Sequence, residues 1–184
     1  MRALLAVLIL LLGLGGVAPA RGGQAVSAPA AAPSDVETLD GIIAAFYDIV
    51  SGPAGQARDW ARDRTLYLPT ARFTYQVGKG DERRWQSVDQ ATYAREAGPS
   101  LEKGFFEHEI HREVHQFGDM AQVFSTYAWS SPTKTGPQRG RGINSIELIH
   151  KDGRWWISYV QWASESPQHP IPSKFVTRGK KKGK

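Results

Sequence analysis

Two stretches decide the fold of this chain: FFEHEIHREVHQFGDMAQVFSTYAW at residues 105–129 and GINSIELIHKDGRWWISYVQW at residues 142–162. Each places a glycine-containing pair, Gly118-Asp119 in the first and Asp152-Gly153 in the second, between two strand-like runs. This is the commonest sequence signal of a tight β-hairpin. The two stretches therefore predict four strands in two consecutive hairpins, and the position of each turn predicts how their residues pair.

Helices and a further pair of strands precede the hairpins. The four-residue segments that begin at Ser34 and Ser87 have the form of a capping box, which satisfies free amides at the start of a helix. Apolar residues recur at helical spacing after the first of them, up to Gly52-Pro53. The predicted elements are helices over residues 34–50, 57–68 and 87–97 and strands over residues 72–77 and 83–86. With the hairpins, the predicted order is α-α-β-β-α-β-β-β-β.

The two ends of the chain differ in composition from its middle. A positive start, an apolar run over residues 3–14 and the small-residue site Ala18-Pro19-Ala20 have the layout of a secretory signal peptide. We therefore predict a signal peptide over residues 1–20, a flexible linker over 21–34, one folded domain over 35–177 and a disordered basic tail over 178–184. Because the chain has no cysteine, neither a disulfide nor a cysteine-linked lipid anchor can form. These features predict a periplasmic or secreted protein with no stable membrane insertion after signal cleavage.

The basic charge of the chain comes from its tail. Residues 178–184 hold five Lys and Arg residues, which equals the whole formal net charge of +5. The predicted domain contains all 18 Asp and Glu residues and is therefore not basic. We expect no nucleic-acid partner, because such partners require a basic patch on the folded surface.

Four segments resemble the nuclear transport factor 2-like superfamily, which includes SnoaL-like polyketide cyclases, ketosteroid isomerases and scytalone dehydratases. They are RDWARDRTLYLPTARF, GFFEHEIHREVHQFGDMAQVFSTYAW, RGINSIELIHKDGRWWISYVQW and SPQHPIPSKF. They are most similar to a branch of small, often exported bacterial proteins of unassigned activity. The resemblance covers residues 35–175 and implies an α+β cone, in which a curved antiparallel sheet wraps around three helices and a pocket lies between them. It also implies a homodimer, and no particular reaction, since the superfamily contains enzymes and non-catalytic binders.

Counting outward from the two turns assigns the side chains to the two faces of the sheet. In the first hairpin, this pairs His108 with Trp129 and Arg112 with Ser125 on the face predicted to be concave. In the second, it pairs Asn144 with Gln161 on the face chosen as concave. The predicted ligand-binding residues are His108, Arg112, Tyr127, Asn144, Tyr159 and Gln161.

Each predicted site residue has a structural alternative. His108 is better suited to a hydrogen-bonded place in the core against Trp129 than to the role of a general base. Arg112 is suited to an ion pair with Asp48 or Glu109. Asn144 and Gln161 can satisfy each other across the strands. The tryptophans that serve as core or dimer-contact residues in this interpretation are Trp155, Trp156 and Trp162.

The predicted function is the binding of a small molecule, with catalysis left open. One alternative is a non-catalytic envelope or interaction module that acts through a dimer or partner surface. Another is an isomerase, cyclase or dehydratase, for which Asp48, His108, Tyr127 and Tyr159 supply acid and base residue types, although no catalytic motif of the superfamily matches. No cofactor motif is present. The string His111-x-Glu113-x-His115 has metal-ligand spacing, but we assign it with Glu107 and Glu109 to a solvated outer face and expect no metal.

Overall fold

The computed structural model describes residues 30–78 and 82–176, so the predicted signal peptide, most of the linker and the basic tail lie outside the described residues. The described part has the predicted order of elements, with the first predicted helix divided in two. The helices are α1 (Pro33–Val36), α2 (Leu39–Val50), α3 (Trp60–Arg64) and α4 (Gln90–Leu101). The strands are β1 (Tyr67–Val77), β2 (Arg84–Val88), β3 (Phe106–Phe117), β4 (Met120–Ser131), β5 (Gln138–Lys151) and β6 (Arg154–Ser164), and a 3-10 turn follows at Ser173–Phe175.

The caps of the helices differ from the prediction. Thr38 caps α2 and Asp89 caps α4, each by accepting a hydrogen bond from the backbone amide three residues later. The capping boxes predicted at Ser34 and Ser87 are therefore wrong. The reason at the first site is that Pro33 starts a separate single turn, α1, and the chain is extended again at Thr38 before α2 begins.

The six strands form one sheet in the order β2-β1-β6-β5-β4-β3. All neighbours are antiparallel except β1 and β6, which run parallel. The sheet is curved and does not close into a barrel, as expected when long strands twist and neither edge finds the other. This confirms the predicted α+β cone, with the one parallel pair as a departure from an all-antiparallel sheet.

The helices pack on the concave face of the sheet. Helix α2 contacts β3 and β6, and α4 contacts β1. The buried guanidinium of Arg58 ties the ends of the two helices together, because it donates to the carbonyls of Val50, Gly52 and Leu101 at 2.9, 2.9 and 2.6 Å. No helix in the described part of the chain is long and apolar enough to span a membrane.

A β-bulge interrupts the first hairpin. Between the turn and the bulge, Val114 pairs with Val123 and Arg112 with Ser125, as predicted. The register then shifts between Glu109 and His111, so that Glu107 lies opposite Trp129. An extra residue in one strand moves every later side chain to the opposite face. Beyond the bulge, the predicted faces are therefore exchanged.

A second bulge interrupts the second hairpin. Leu148 pairs with Ile157 as predicted, but the register shifts before Glu147. Asn144 consequently lies opposite Trp162 rather than Gln161. The predicted pairing of Asn144 with Gln161 is therefore wrong.

Candidate ligand-binding cavity

A cavity of about 230 Å³ lies between the concave face of the sheet and helices α2 and α4. Most of its walls are aromatic, and every strand except β2 contributes at least one lining residue. The lining residues are Phe46, Val50, Tyr67, Phe73, Tyr93, Leu101, Phe105, Glu107, Tyr127, Trp129, Asn144, Trp162 and Ser164. Eight of these thirteen side chains carry an aromatic ring, so the space suits a flat or compact apolar molecule.

Among the residues that line this cavity, Glu107 is the one whose side chain can be charged near neutral pH. Burial raises the pKa of Glu107 to about 7, while a hydrogen bond with Asn144 acts in the opposite direction. Burial dominates because the carboxylate loses its hydration and gains no cation. At neutral pH, the carboxyl of Glu107 is therefore able both to accept and to donate a proton.

A chain of hydrogen bonds orients Asn144. Its Nδ2 donates to the Tyr47 hydroxyl at 3.0 Å, and that hydroxyl lies 2.7 Å from Ser125 Oγ. Ser125 in turn donates its only proton to Glu109 at 2.5 Å. Tyr47 must therefore donate to Ser125 and accept from Asn144. This order of donors leaves the second amide proton of Asn144 free to bond with Glu107.

The chain of hydrogen bonds ends in an ion pair at the rim of the concave face, on the edge strand β3. Arg112 donates from Nε to Glu109 at 2.7 Å and from Nη1 to Asp40, on α2, also at 2.7 Å. The side chains of Arg112 and Glu109 are 23% and 18% exposed, so water screens the pair only in part. Arg112 is thus fully engaged by two carboxylates and does not line the cavity.

Two glycines of β5 make room for the aromatic wall. Gly140 and Gly142 lie opposite Trp129 and Tyr127 on β4. A Cβ atom at Gly140 would lie 2.6 Å from Nε1 of Trp129, and one at Gly142 would overlap the hydroxyl of Tyr127. The rings lie across the bare backbone of β5, so both glycines are required for the shape of the cavity.

The tyrosines around Glu107 are neutral. Burial raises the pKa of Tyr93 and of Tyr127, and the nearby charge of Glu107 raises them further. Tyr93 is held by stacking on Phe73, with ring centroids 4.9 Å apart and planes 5° apart. These phenols act as hydrogen-bond donors or acceptors and not as bases.

A second buried carboxyl lies behind the wall of the cavity. Asp63 accepts hydrogen bonds from Gln90 at 2.5 Å and from the Tyr67 hydroxyl at 3.3 Å. Burial raises the pKa of Asp63 to about 6, and the two hydrogen bonds act in the opposite direction. Asp63 is not a lining residue, because the ring of Tyr67 stands between it and the cavity.

The structure divides the six predicted site residues into three groups. Tyr127 and Asn144 line the cavity. Arg112 lies at the rim and pairs with Glu109, as its structural alternative predicted, whereas Asp48 pairs with Arg62. The three residues that the bulges place on the outer face are His108, Tyr159 and Gln161. The predicted contact of His108 with Trp129 is therefore wrong.

The outer face has a cavity of its own, of about 250 Å³, between the sheet and the chain that follows β6. Gln161 lines it together with Phe124, Trp85 and residues 169–172. Phe175 packs against Phe124 with ring centroids 5.1 Å apart. In the described part of the chain, no group of three His, Cys, Asp or Glu residues could hold a metal ion.

Sequence reasoning missed Glu107, Tyr47 and Tyr93. Counting from the turn places Glu107 on the outer face, and the bulge at residue 110 reverses that count. Tyr47 and Tyr93 belong to helices that the sequence predicts from capping boxes and apolar spacing, neither of which singles out a tyrosine. A test of which polar residues share the buried stripe of α2 would have found Tyr47, since it lies four residues after the buried Ile43 and three before the buried Val50.

No protein-family model matches this sequence, and no curated protein is significantly similar to it. Among solved structures, Rv3472 of Mycobacterium tuberculosis, whose function is unknown, is 13% identical, covers 77% of this chain and 75% of its own, and has a TM-score of 0.54. LinA is 12% identical and covers 67% of this chain and 80% of its own, with a TM-score of 0.52. A nuclear transport factor 2-like superfamily protein of Salmonella enterica is 12% identical and covers 79% of this chain and 92% of its own, with a TM-score of 0.49.

The first two structures share the fold of this chain at TM-scores of 0.54 and 0.52, and identities this low show nothing about activity. The order of elements and the curved, unclosed sheet of six strands agree with the architecture that the sequence resemblance implies. The chain has the α+β cone fold of the nuclear transport factor 2-like superfamily.

Proposed function

We propose that this domain binds a small, mainly apolar molecule in the cavity between the sheet and helices α2 and α4. The observation that carries the proposal is a cavity with eight aromatic rings and a single carboxyl, Glu107. A cavity of about 150 Å³ is large enough for benzene. The 230 Å³ available here suits a single ring with a short substituent, whose polar group would meet Glu107 and Asn144.

Acid–base catalysis is the second candidate. Its support is the pKa of about 7 at Glu107, since a group that titrates near the working pH transfers protons most effectively. Neutral Tyr93 and Tyr127 would supply hydrogen bonds to a developing oxyanion. An isomerase, cyclase or dehydratase could use such a set. The open cavity supports either of these functions over a purely structural module.

We also propose that the domain is exported and works in the periplasm or outside the cell, as a homodimer. The signal-like start of the chain and its lack of cysteine support export. The resemblance to the superfamily supports the dimer. The mass of the protein isolated from its own compartment tests export, since a chain that begins at Met1 there contradicts cleavage. Light scattering after gel filtration tests the dimer, and a monomer at every concentration contradicts it.

The test of ligand binding uses two neutral aromatic probes and two protein variants, each of which removes one side-chain amide. Toluene and benzyl alcohol are titrated into the protein while the backbone amide signals are followed by NMR. We expect saturable shifts around Tyr127 and Asn144. Asn144→Ala should weaken the binding of benzyl alcohol, and Gln161→Ala, on the outer face, should leave it unchanged. The proposal fails if neither probe shifts the cavity residues.

A further inference from the structure

We infer that the ligand of this cavity is a small organic cation: an amine attached to a ring or a short apolar chain. The inference rests on the proposed function and names the chemical class of its ligand. It draws on the charge balance of the cavity and on the chemistry of its walls.

The charge balance leaves a place for one positive charge. None of the thirteen lining residues is Lys, Arg or His. Arg112, the cation of the same strand, is engaged by Glu109 and Asp40 and so cannot neutralise Glu107. An ionised carboxylate in such surroundings is costly without a partner. An ammonium group in the cavity would supply the missing partner and would form a charge-assisted hydrogen bond.

The aromatic walls favour the same class of ligand. The face of an aromatic ring carries negative potential and attracts a cation, most strongly in tryptophan. Trp129 and Trp162 line the cavity with the phenols of Tyr67, Tyr93 and Tyr127. An anion would meet both these rings and Glu107 unfavourably. A wholly apolar ligand would leave Glu107 with Asn144 as its one hydrogen-bond partner and with no counter-ion, which costs binding free energy.

Binding of a cation would be coupled to the loss of the Glu107 proton. The groups that face Glu107 are Tyr47 from α2, Tyr93 from α4, Tyr127 from β4 and Asn144 from β5, and burial keeps the three phenols neutral. With a pKa of about 7, the ionised fraction of Glu107 rises from about 10% at pH 6 to about 90% at pH 8. The affinity for an amine that stays protonated should therefore rise about tenfold over this range.

Asp63 titrates in a neighbouring pH range and must be told apart from Glu107. It lies behind Tyr67, outside the cavity lining, and accepts hydrogen bonds from Tyr67 and Gln90. A variant at position 107 separates the two carboxyls, because it removes one and leaves the other in place. The matched control is Glu113→Gln, the same substitution on the same strand, opposite Phe124 on the outer face.

The experiment compares three probes of nearly equal shape: benzylamine, benzyl alcohol and toluene. Each is titrated by calorimetry into the full chain at pH 6 and pH 8. We expect benzylamine to bind about tenfold more tightly than benzyl alcohol at pH 8, and its affinity to fall about tenfold at pH 6. Glu107→Gln should abolish both the preference and the pH dependence, while Glu113→Gln should keep both.

The outcomes separate this inference from the proposed function. If benzyl alcohol or toluene binds as tightly as benzylamine at pH 8, the ligand class is wrong and the binding cavity stands. If none of the three binds, both proposals fail. The pH dependence of the unsubstituted protein is itself a test that needs no variant, since an affinity for benzylamine that is equal at pH 6 and pH 8 overturns the role of Glu107.

Discussion

Glu107 and Glu109 stand two residues apart on β3, on the same face of the sheet, and have opposite surroundings. Glu107 lines an aromatic cavity without a cation, and burial raises its pKa to about 7. Glu109 lies at the rim, where Arg112 and Ser125 both donate to it. Two glutamates on one face of one strand thus differ in their partners: Glu109 has a counter-ion at the rim, and Glu107 has none in the cavity.

Removing the cation at the rim should have the largest effect on stability. Arg112→Leu would leave Glu109 half-buried without its counter-ion, so we expect the free energy of unfolding at pH 7 to fall by about 2–3 kcal/mol. Urea unfolding followed by circular dichroism measures the change. The double variant Arg112→Leu/Glu109→Gln should recover at least half of the loss. If the single and double variants are equally stable, the ion pair does not stabilise the rim.

Removing the charge of Glu107 in the cavity should have the next largest effect on the free energy of unfolding, and this change should stabilise the protein. Burial raises the pKa of Glu107 in the folded protein to about 7 from its ordinary value of 4.5, so the folded protein prefers the protonated form. The unsubstituted protein should therefore lose stability as the pH rises from about 4.5 to 7 and no more above it. A shift of this size corresponds to about 3 kcal/mol at full burial, and the partial exposure of Glu107 to solvent reduces this to about 2 kcal/mol.

Glu107→Gln should accordingly be more stable than the unsubstituted protein at pH 8 and about equally stable at pH 4.5. Urea unfolding at the two pH values measures the difference. Glu113→Gln, on the outer face, should show no such gain at pH 8. A Glu107→Gln variant that is less stable at pH 8 would contradict the raised pKa of Glu107.

Breaking the chain of hydrogen bonds that links the cavity to the rim should have a smaller effect on the free energy of unfolding. Tyr47→Phe would leave Asn144 without its acceptor and Ser125 without its donor, so we expect a loss of about 1 kcal/mol. Asn144 would no longer be held towards Glu107, and the pKa of Glu107 should rise above 7. Carbon-13 NMR titration of the Glu107 carboxyl measures this shift.

Tyr75→Phe is the matched control for Tyr47→Phe. The Tyr75 hydroxyl donates to Glu96 at 3.3 Å in an exposed place, so its loss should cost only a few tenths of a kcal/mol and leave the Glu107 titration unchanged. An unchanged Glu107 titration in Tyr47→Phe would show that Tyr47 does not orient Asn144.

The smallest effect is expected at His108. The bulge places it on the outer face, where it is exposed, so His108→Ala should change the free energy of unfolding by less than about 0.5 kcal/mol. The register without the bulge would instead bury His108 against Trp129. Thermal unfolding distinguishes the two registers. A fall of about 2 kcal/mol or more in the free energy of unfolding would favour the register without the bulge.

The turns at Gly118-Asp119 and Asp152-Gly153 made the hairpins and their nearest pairs predictable. The pairs Val114–Val123 and His150–Trp155 follow directly from the turns. The two bulges could not be predicted, because the residues around the first are mostly polar and those around the second are apolar on both faces, so that in neither place does the alternation of apolar residues give a sign of a slip.

The candidate site was predictable only where it does not depend on those bulges. Tyr127 and Asn144 lie on strands whose mutual register is regular, and both reached the cavity. Glu107 and Gln161 lie beyond the bulges and exchanged their predicted faces. The raised pKa of Glu107 depends on surroundings supplied by α4 and four other strands, which no local pattern of residues contains.

The parallel pairing of β1 with β6 has a consequence for how the domain folds. Phe73 in the first strand lies beside Val160 in the last, so this contact closes a loop that includes more than half of the domain. Contacts so distant in the chain are slow to form, because the entropy of loop closure must be lost before they contribute stability. Until β6 has emerged, the inner edge of β1 has no partner and is open to pairing with another chain. Synthesis or translocation from the N-terminus delivers this closing strand last.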